Sequence, residues 1–340
     1  MPIIDGVKKK TRRFPKLAAK RDPGAPQIRN GAPGHQERES GKCDNLGDPD
    51  FGSYPLSHRI SFKMQEKMQR ARDNLRSRLG DVGFSPENFQ VVQIPLTVPG
   101  LDSAFEGYRL VQISDIHFGQ WITSERLEGV VDLVNSQNPD LVAITGDFFS
   151  YVLDKHESDL ARILGRIRAR DATVAVLGNH DHWLGANAVR RIIRKGNILE
   201  LANDVFSARR GDAALHIAGL DDVLANKQDL ERVLQRLPDS GPAVLLVHEP
   251  DFADKSSGTG RFCLQLSGHS HGGQIVIPGY GTPIRGYHFK KYPLGRYQVG
   301  EMVQYTNRGL GTNLFWSRIN CPPEITTFTF HASPRQASLI

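Results

Sequence analysis

Short apolar runs rich in β-branched residues alternate with helical patterns along most of this 340-residue chain, and no other feature restricts the fold as much. A β-α-β-α beginning followed by more strand-rich sequence predicts an α/β domain with layered sheets. We predict strands over residues 109–114, 141–145, 173–177, 214–219, 243–247, 262–266, 274–277, 303–306 and 325–330. We predict helices over residues 125–137, 158–168, 186–195 and 227–237, the first capped by Thr123 and Ser124.

Polar side chains that can bind metals or transfer protons stand directly after five of these strands. Loops beyond the carboxyl ends of strands form the ligand crevice of open α/β sheets, so we expect the five loops to converge. Residues two apart in extended chain point the same way, and two of the loops carry pairs with this spacing. The loops are Asp115-Ile116-His117, Gly146-Asp147, Gly178-Asn179-His180-Asp181, His248 and Gly268-His269-Ser270-His271.

The side chains in these loops are carboxylates, imidazoles and an amide, a donor set that suits Mn²⁺, Fe²⁺ or Zn²⁺. Seven of them can act as ligands, which is too many for one tetrahedral ion and suits two. Two ions that share a carboxylate can ionise water and hold phosphoryl oxygens during in-line attack, so the pattern predicts phosphoester hydrolysis. The predicted ligands are Asp115, His117, Asp147, Asn179, His248, His269 and His271.

Two of the seven positions also have an ordinary structural interpretation. Asn179 follows a glycine in a turn, where Asn is common because it tolerates left-handed backbone. His248 ends an apolar strand, where its ring can bond a backbone carbonyl. A chance arrangement of all seven at five strand ends is improbable, so we predict a dimetal site. The alternative of another class is a non-catalytic scaffold on the same fold.

Taken in order, the five motifs resemble those of the calcineurin-like metallophosphoesterases, from Arg109 to about Phe330. This resemblance implies a four-layer αββα sandwich of the metallophosphoesterase type. It also implies a metal-dependent hydrolase that attacks phosphomonoesters or phosphodiesters with a hydroxide bridging two divalent ions, Mn²⁺, Zn²⁺ or Fe.

The resemblance further assigns a role to each predicted site residue. One ion would be held by Asp115, His117 and His271, and the other by Asn179, His248 and His269. Asp147 would bridge the two ions. His180 matches the catalytic histidine of the family, which stabilises the transition state or protonates the leaving oxygen, and Asp181 would orient it by a hydrogen bond.

The carboxyl-terminal half is similar to the bacterial YaeI/YkuE-like phosphoesterase branch of that superfamily. The similarity rests on Gly268–Gln274, with Ser270 in place of Thr, on Asn307-Arg308-Gly309 and on Asn320–Glu324. Relatives of this kind include a UDP-2,3-diacylglucosamine-type pyrophosphatase that acts at a membrane surface, which gives an alternative function. The segment 280–297, which mixes cations with aromatic residues, forms either a rim of the substrate crevice or an ordinary surface loop.

The amino-terminal part differs in composition from the rest of the chain. Residues 1–42 carry 11 Lys/Arg and 4 Asp/Glu, whereas the other 298 residues carry 32 and 33. Together with the Gly- and Pro-rich stretch that follows, this predicts a disordered basic tail and linker over 1–58, ahead of a catalytic domain over 90–332. Between the two, apolar residues recur at helical spacing opposite basic ones, so 59–80 is predicted to be a basic amphipathic helix.

This helix could either pack on the domain or contact an anionic membrane through residues 60–79. No run approaches the roughly 18 apolar residues of a membrane-spanning helix. The pair Arg12-Arg13 lacks the apolar segment of a signal peptide, and three scattered cysteines indicate a reducing compartment. We therefore expect a cytoplasmic protein, peripheral to a membrane at most, whose core does not bind nucleic acid.

Overall fold

The computed structural model describes residues 63–71, 74, 83–153, 157–313 and 318–333. The chain divides into two compact units, Met1–Asp44 and Asn45–Ile340, and all described residues belong to the second. The predicted tail over 1–58 and much of the predicted helix 59–80 lie outside the described residues.

Residues 63–71 form a helix, α1, inside the predicted range 59–80. Met64 is 55% exposed and Met68 is 39% exposed, so the apolar face does not pack on the domain at these two positions. Across the ranges that the structure describes, no helix has the length and hydropathy needed to cross a membrane.

The first of two six-stranded sheets holds three of the predicted strand ends. Its strands are β1 (Gln90–Val98), β12 (Glu324–Ala332), β2 (Tyr108–Ile113), β3 (Leu141–Thr145), β4 (Ala172–Val176) and β5 (Leu199–Glu200), in that order across the sheet. Strands β2 to β5 are parallel, so the carboxyl ends of β2, β3 and β4 lie at one edge. Strand β12 runs antiparallel to β2 and parallel to β1.

The second sheet holds the other two strand ends. Its order is β10 (Gly295–Val299), β11 (Met302–Thr306), β9 (Leu264–Ser267), β8 (Ala243–Leu246), β7 (Ala213–Gly219) and β6 (Asp204–Arg210). The four central strands β11, β9, β8 and β7 are parallel, with an antiparallel strand at each edge. The carboxyl ends of β8 and β9 therefore lie side by side, as do those of β2 and β3 in the first sheet.

Three apolar clusters arrange these sheets and the helices into four layers. The central cluster joins Leu110 and Val174 of the first sheet to Leu215 and Val244 of the second. A second cluster packs α2 (Ser124–Ser136), α3 (Glu157–Leu164) and α4 (Asn179–Lys195) on the outer face of the first sheet. A third cluster packs α5 (Leu230–Arg236) and α6 (Ala253–Ser257) on the second sheet. The predicted αββα sandwich is confirmed.

All four predicted helices between α2 and α5 are present, with shifted ends. Thr123 caps α2 as predicted, because its side-chain oxygen accepts a hydrogen bond from the backbone N–H of Arg126. The predicted helix 186–195 begins earlier, at Asn179, and contains a kink at Gly185, where φ is 106°. The kink explains why the helical pattern in the sequence starts only after it.

The predicted strands differ from those of the structure in two ways. The segment 274–277 is not a strand: a 3-10 turn over His271–Gly273 and left-handed backbone at Gln274 interrupt the extended chain, which makes only isolated bridges. Four strands were not predicted, namely β1, β5, β6 and β10. Strand β1 contains Pro95, a residue that is uncommon in central strands. It lies at the edge of its sheet, where a missing N–H is tolerated.

Candidate metal centre

The predicted site residues come together where the carboxyl ends of five strands meet. From the first sheet, β2 leads into Asp115 and His117, β3 into Asp147, and β4 into Asn179 at the start of α4. From the second sheet, β8 leads into His248, and β9 into His269 and His271. The backbone of Gly178 lies so close to both Asp147 and His248 that a Cβ there would be 2.3 Å from Asp147 Oδ1 and 2.8 Å from His248 Cε1.

Four side chains form the tightest part of this cluster. Asp115, His117, Asp147 and His271 are all buried, and one ligand atom from each lies within 4.8 Å of the others. His117 Nε2 is 3.0 Å from His271 Nε2, and His271 Nε2 is 3.4 Å from Asp115 Oδ1. Carboxylate oxygens and imidazole nitrogens facing one small space are the donor set of a divalent transition-metal ion.

Asp147 lies between this group and the other predicted ligands. Its Oδ2 atom is 3.5 Å from His117 Nε2 and 3.3 Å from His248 Nε2. Its Oδ1 atom accepts a hydrogen bond of 3.0 Å from the backbone N–H of His180, which fixes the carboxylate plane. One oxygen is thus held by the protein while the other faces two imidazoles from different sheets.

Hydrogen bonds at the far ring nitrogens set the orientation of several histidines. His248 Nδ1 donates to the carbonyl of Thr145 at 2.7 Å, which leaves Nε2 directed at Asp147. His269 Nε2 donates to the carbonyl of Tyr287 at 3.0 Å, which leaves the lone pair on Nδ1. Partners of this kind fix the tautomer of metal-binding imidazoles. For His248 the carbonyl bond and the ligand interpretation of the sequence are therefore compatible.

Asn179 supplies a further test of whether the site suits a metal ion. The residue is 2% exposed, and its side-chain oxygen makes no hydrogen bond to any residue within the described ranges. A buried amide oxygen without a partner costs on the order of 1–3 kcal/mol, so such atoms are rare unless something binds them. A cation is a fitting partner for that oxygen.

The electrostatics of the cluster also favour positive charge. Burial raises the pKa of Asp115 to about 7. Burial opposes ionisation of Asp147 as well, but the surrounding rings, His248 foremost, hold its pKa well below the usual range. Burial lowers the pKa of His117 to about 3 and that of His269 to about 4, so both rings are neutral, as metal ligation requires.

The backbone of the cluster is held in an uncommon conformation. Five predicted ligands have positive φ, between 45° and 68°, although none is glycine: Asp115, His117, Asp147, His269 and His271. Left-handed backbone costs on the order of 1–3 kcal/mol per residue and tends to occur at functional sites. The strain indicates that the positions of these side chains, rather than stability, determine the local fold.

The ring of His180 is oriented by groups other than the predicted Asp181. Its Nδ1 donates to the carbonyl of Ser150 at 2.9 Å, and its Nε2 is 3.2 Å from Asn313 Nδ2. Asp181 does not orient the ring, because its carboxylate accepts backbone N–H bonds from Phe148 at 2.9 Å and Gly178 at 3.0 Å. The predicted role of Asp181 is thus corrected: it fixes the loops that carry Asp147 and Asn179.

Three residues of the site were missed in the sequence. Ser150 holds two rings, since its Oγ contacts His117 Nδ1 at 2.6 Å and its carbonyl binds His180. Asn313 contacts His180, and Arg318 donates to the backbone carbonyls of His271 and Gly311. The last two follow β11, whose carboxyl end lies at the same edge as that of β9. Counting β11 among the strand ends would have indicated them.

Known proteins match the chain over the same region. The family model for calcineurin-like phosphoesterases matches residues 108–273. The metallophosphoesterase YkuE of Bacillus subtilis is 36% identical over 236 residues, covering 67% of this chain and 81% of YkuE. The phosphodiesterase YaeI of Escherichia coli is 26% identical over 222 residues, covering 64% of this chain and 80% of YaeI.

A vertebrate protein is also similar to this chain. A transmembrane protein with a metallophosphoesterase domain from Danio rerio is 30% identical over 250 residues, covering 70% of this chain and 56% of that protein. The match to YkuE over four fifths of its length fits the five strand-end motifs and the two-sheet fold. The chain therefore belongs to the calcineurin-like phosphoesterase family.

Proposed function

We propose that the protein is a dimetal-dependent phosphoesterase that hydrolyses phosphomonoesters or phosphodiesters. The observation that carries this proposal is the position of Asp147, whose Oδ2 atom lies within 3.5 Å of imidazole nitrogens from both sheets. A single carboxylate oxygen between two groups of donors is what a pair of bridged ions requires.

The two ions divide the ligands between them. Asp115, His117 and His271 would hold one ion. Asn179, His248 and His269 would hold the other, with Asp147 shared. When bound, the ions supply Lewis acidity toward the water nucleophile and toward the phosphoryl oxygens. The donor set fits Mn²⁺, Zn²⁺ or Fe²⁺, since the cluster contains imidazole and carboxylate and no thiolate.

His180 acts on the leaving group rather than as a ligand. Its Nδ1 proton is held by the carbonyl of Ser150, which directs Nε2 toward Asn313. To protonate the leaving oxygen, the ring must be an imidazolium, so Nε2 would first take up a proton from solvent and give up its hydrogen bond from Asn313 Nδ2. Asn313 keeps the ring in place through Nδ2, and its own Oδ1 accepts a hydrogen bond of 2.7 Å from Tyr151.

Hydrolysis of a panel of substrates tests this proposal. Phosphomonoesters, phosphodiesters and pyrophosphates are assayed with Mn²⁺, Zn²⁺ or Mg²⁺, and the metal content of the purified protein is measured in parallel. We expect diesters to be hydrolysed, since YaeI is named a phosphodiesterase. A protein that binds about two ions per chain and hydrolyses none of the panel would support the scaffold alternative instead.

A second candidate, a pyrophosphatase for a lipid-linked nucleotide such as UDP-2,3-diacylglucosamine, is favoured by helix α1. Met64 and Met68 stay exposed on a helix that also carries Lys63, Lys67 and Arg70, as expected of a helix that lies on an anionic bilayer. Sedimentation with liposomes, with and without residues 1–80, tests this contact. Equal pelleting of both proteins would remove the helix from the proposal.

A further inference from the structure

Exposed apolar side chains concentrate in one loop system of the molecule. Of the eight large apolar side chains that are exposed in the described part of the chain, three lie elsewhere. The other five belong to residues 275–291 and to Ile319, here called the rim. They are Ile277, Tyr280, Ile284, Tyr287 and Ile319, and both tyrosines are 74% exposed. Contiguous exposed apolar groups of this kind mark a contact surface.

Hydrogen bonds fix the backbone of the rim, so an ordered loop holds these side chains at the surface. Val276 N–H donates to the carbonyl of Ile319 at 3.0 Å, and Ile277 N–H donates to that of Gly281 at 2.8 Å. The tight turn between them carries Tyr280 at its tip, with positive φ at Gly279 and Gly281. A convex tip suits a flat partner better than a peptide that needs a groove.

The charge of the rim points to an anionic partner. Residues 275–291 contain Arg285, Lys290 and Lys291 and no Asp or Glu, and of the three cations Lys291 forms an ion pair with Asp254. Within the described ranges, neither Arg285 nor Lys290 lies within ion-pair distance of a carboxylate. The Lys290 ammonium instead lies 5.9 Å from the ring centroid of Tyr287. Tyrosines beside cations with apolar stems are typical of surfaces that sit at lipid headgroup level.

The rim is attached directly to the candidate metal centre. The carbonyl of Tyr287 accepts the hydrogen bond from His269 Nε2, and the ring of Phe289 lies 5.3 Å from that of His269. Thr282 packs so closely on Gly273 that a Cβ there would be 1.7 Å from Thr282 Oγ1. A surface in contact with the rim therefore lies beside the ligands His269 and His271.

We propose that the rim docks on an anionic phospholipid bilayer and that the phosphoester hydrolysed is carried at lipid headgroup level. The second part rests on the proposed function, whereas the docking itself does not. Ile277, Tyr280 and Ile284 would enter the interface, and Arg285 and Lys290 would bind lipid phosphates. The rim shares no residue with helix α1.

A fluorescent label at position 280 tests the docking in the full chain. Tyr280→Cys is labelled with an environment-sensitive dye in a Cys43→Ser background. Cys321 is buried and Cys263 is partly buried, so the Cys43→Ser protein without Tyr280→Cys is labelled in parallel to measure the residual reaction of these thiols. Leu199→Cys is the matched control, because Leu199 is also exposed, at 47%, and lies on β5 away from the rim sequence.

We expect vesicles of phosphatidylglycerol and phosphatidylcholine to raise the emission at position 280 severalfold and shift it to the blue, with no change at position 199. Sedimentation of the protein with vesicles while the label at 280 stays in water would overturn the proposal, because another part of the chain would then be the contact. Absence of any binding would overturn it as well.

A triple substitution measures the contribution of the apolar side chains. Ile277→Ser with Tyr280→Ser and Ile284→Ser is expected to weaken vesicle binding by about tenfold, and Leu199→Ser to leave it unchanged. Equal affinity of the triple variant and the wild type would contradict the docking. Hydrolysis of the soluble diester bis(p-nitrophenyl) phosphate is recorded separately: its absence in the wild type would count against the proposed function and not against the docking.

Discussion

The two halves of the proposed metal centre differ in how fully the protein encloses their ligands. In the first half, Asp115, His117 and His271 join Asp147 in a buried group with ligand atoms within 4.8 Å. In the second half, the ring centroids of His248 and His269 are 5.0 Å apart, close to the 4.8 Å between those of His117 and His271, but His269 is only partly buried. The difference between the halves is therefore one of enclosure, since all ligands of the first half are buried and His269 of the second half is not.

Packing explains the difference. The loop after β11 presses on the first half: a Cβ at Gly309 would lie 2.7 Å from Asp115 Cβ, and one at Gly311 would lie 2.8 Å from His117 Cβ. Arg318 holds this loop by donating to the carbonyls of Gly309 and Gly311. The second half has an exposed neighbour instead, since the Tyr287 backbone that binds His269 belongs to the rim. The first half is thus enclosed, whereas the second half borders the surface at His269.

The largest effect is expected for Asp147→Asn, because Asp147 is the carboxylate between both halves. Loss of its charge should weaken both ions and lower hydrolysis by about 10⁴-fold, the equivalent of several kcal/mol of charge stabilisation. Metal content and rate are measured together. Asp132→Asn, on the exposed face of α2, is the matched control and should behave as wild type. Retention of both ions by Asp147→Asn would show that it does not bridge the halves.

His180→Ala is expected to have the next largest effect, and to leave both halves intact. The ring contacts Ser150 and Asn313 and is not a proposed ligand, so two ions should remain. The kcat should fall by about 10²- to 10⁴-fold, the range for a general acid. Unchanged turnover of an aryl phosphate diester by metal-loaded protein would remove His180 from the mechanism.

The comparison of the halves is tested directly by removing one ligand from each. His248→Ala should keep one tightly held ion, because the first half is intact. His271→Ala removes a ligand of the first half, so the ion that remains should be bound at least about tenfold more weakly. Loss of even an outer hydrogen-bond partner of a ligand lowers metal affinity by about that factor. Titration with a chelator, followed by elemental analysis, gives the affinities. Equal affinities in the two variants would mean that the halves do not differ.

A smaller effect, on stability, is expected from Gly309→Ala. Both Gly309 and Gly279 have positive φ, 72° and 77°, so alanine costs about 1–2 kcal/mol at either position. Only Gly309 lies against Asp115, and overpacking there should add about 1–3 kcal/mol. Urea denaturation of both variants measures the difference. Equal free energies of unfolding would contradict the close packing of the first half.

The sequence predicted the layers and most strands, because the apolar periods and the turn residues agree there. The convergence of Asp115, His117 and Asp147 was also predicted, since carboxylates and imidazoles at strand ends are chemically distinctive. Less was predicted where the structure depends on contacts distant in the chain. Its place after β11 marks Arg318 as a residue near the site, but only the fold shows that its guanidinium holds the loop over residues 307–311.

The incorrect role for Asp181 has a related cause. A carboxylate next to a histidine in sequence suggests a hydrogen bond between them, but the start of α4 turns the two side chains apart. Asp181 then accepts from backbone N–H groups of the β3 loop, and a carbonyl orients His180 instead. Likewise, the β-branched residues at 275–277 indicate a strand by propensity, whereas the preceding glycines turn the chain away from the sheet.

The central claim is that Asp147 joins two ions in one site. Electron paramagnetic resonance of the chain loaded with Mn²⁺ tests this directly, because two Mn²⁺ ions that share a carboxylate are magnetically coupled. We predict two Mn²⁺ per chain and a coupled spectrum that becomes that of isolated ions in Asp147→Asn. A spectrum of isolated Mn²⁺ in the wild-type protein at full loading would contradict the account.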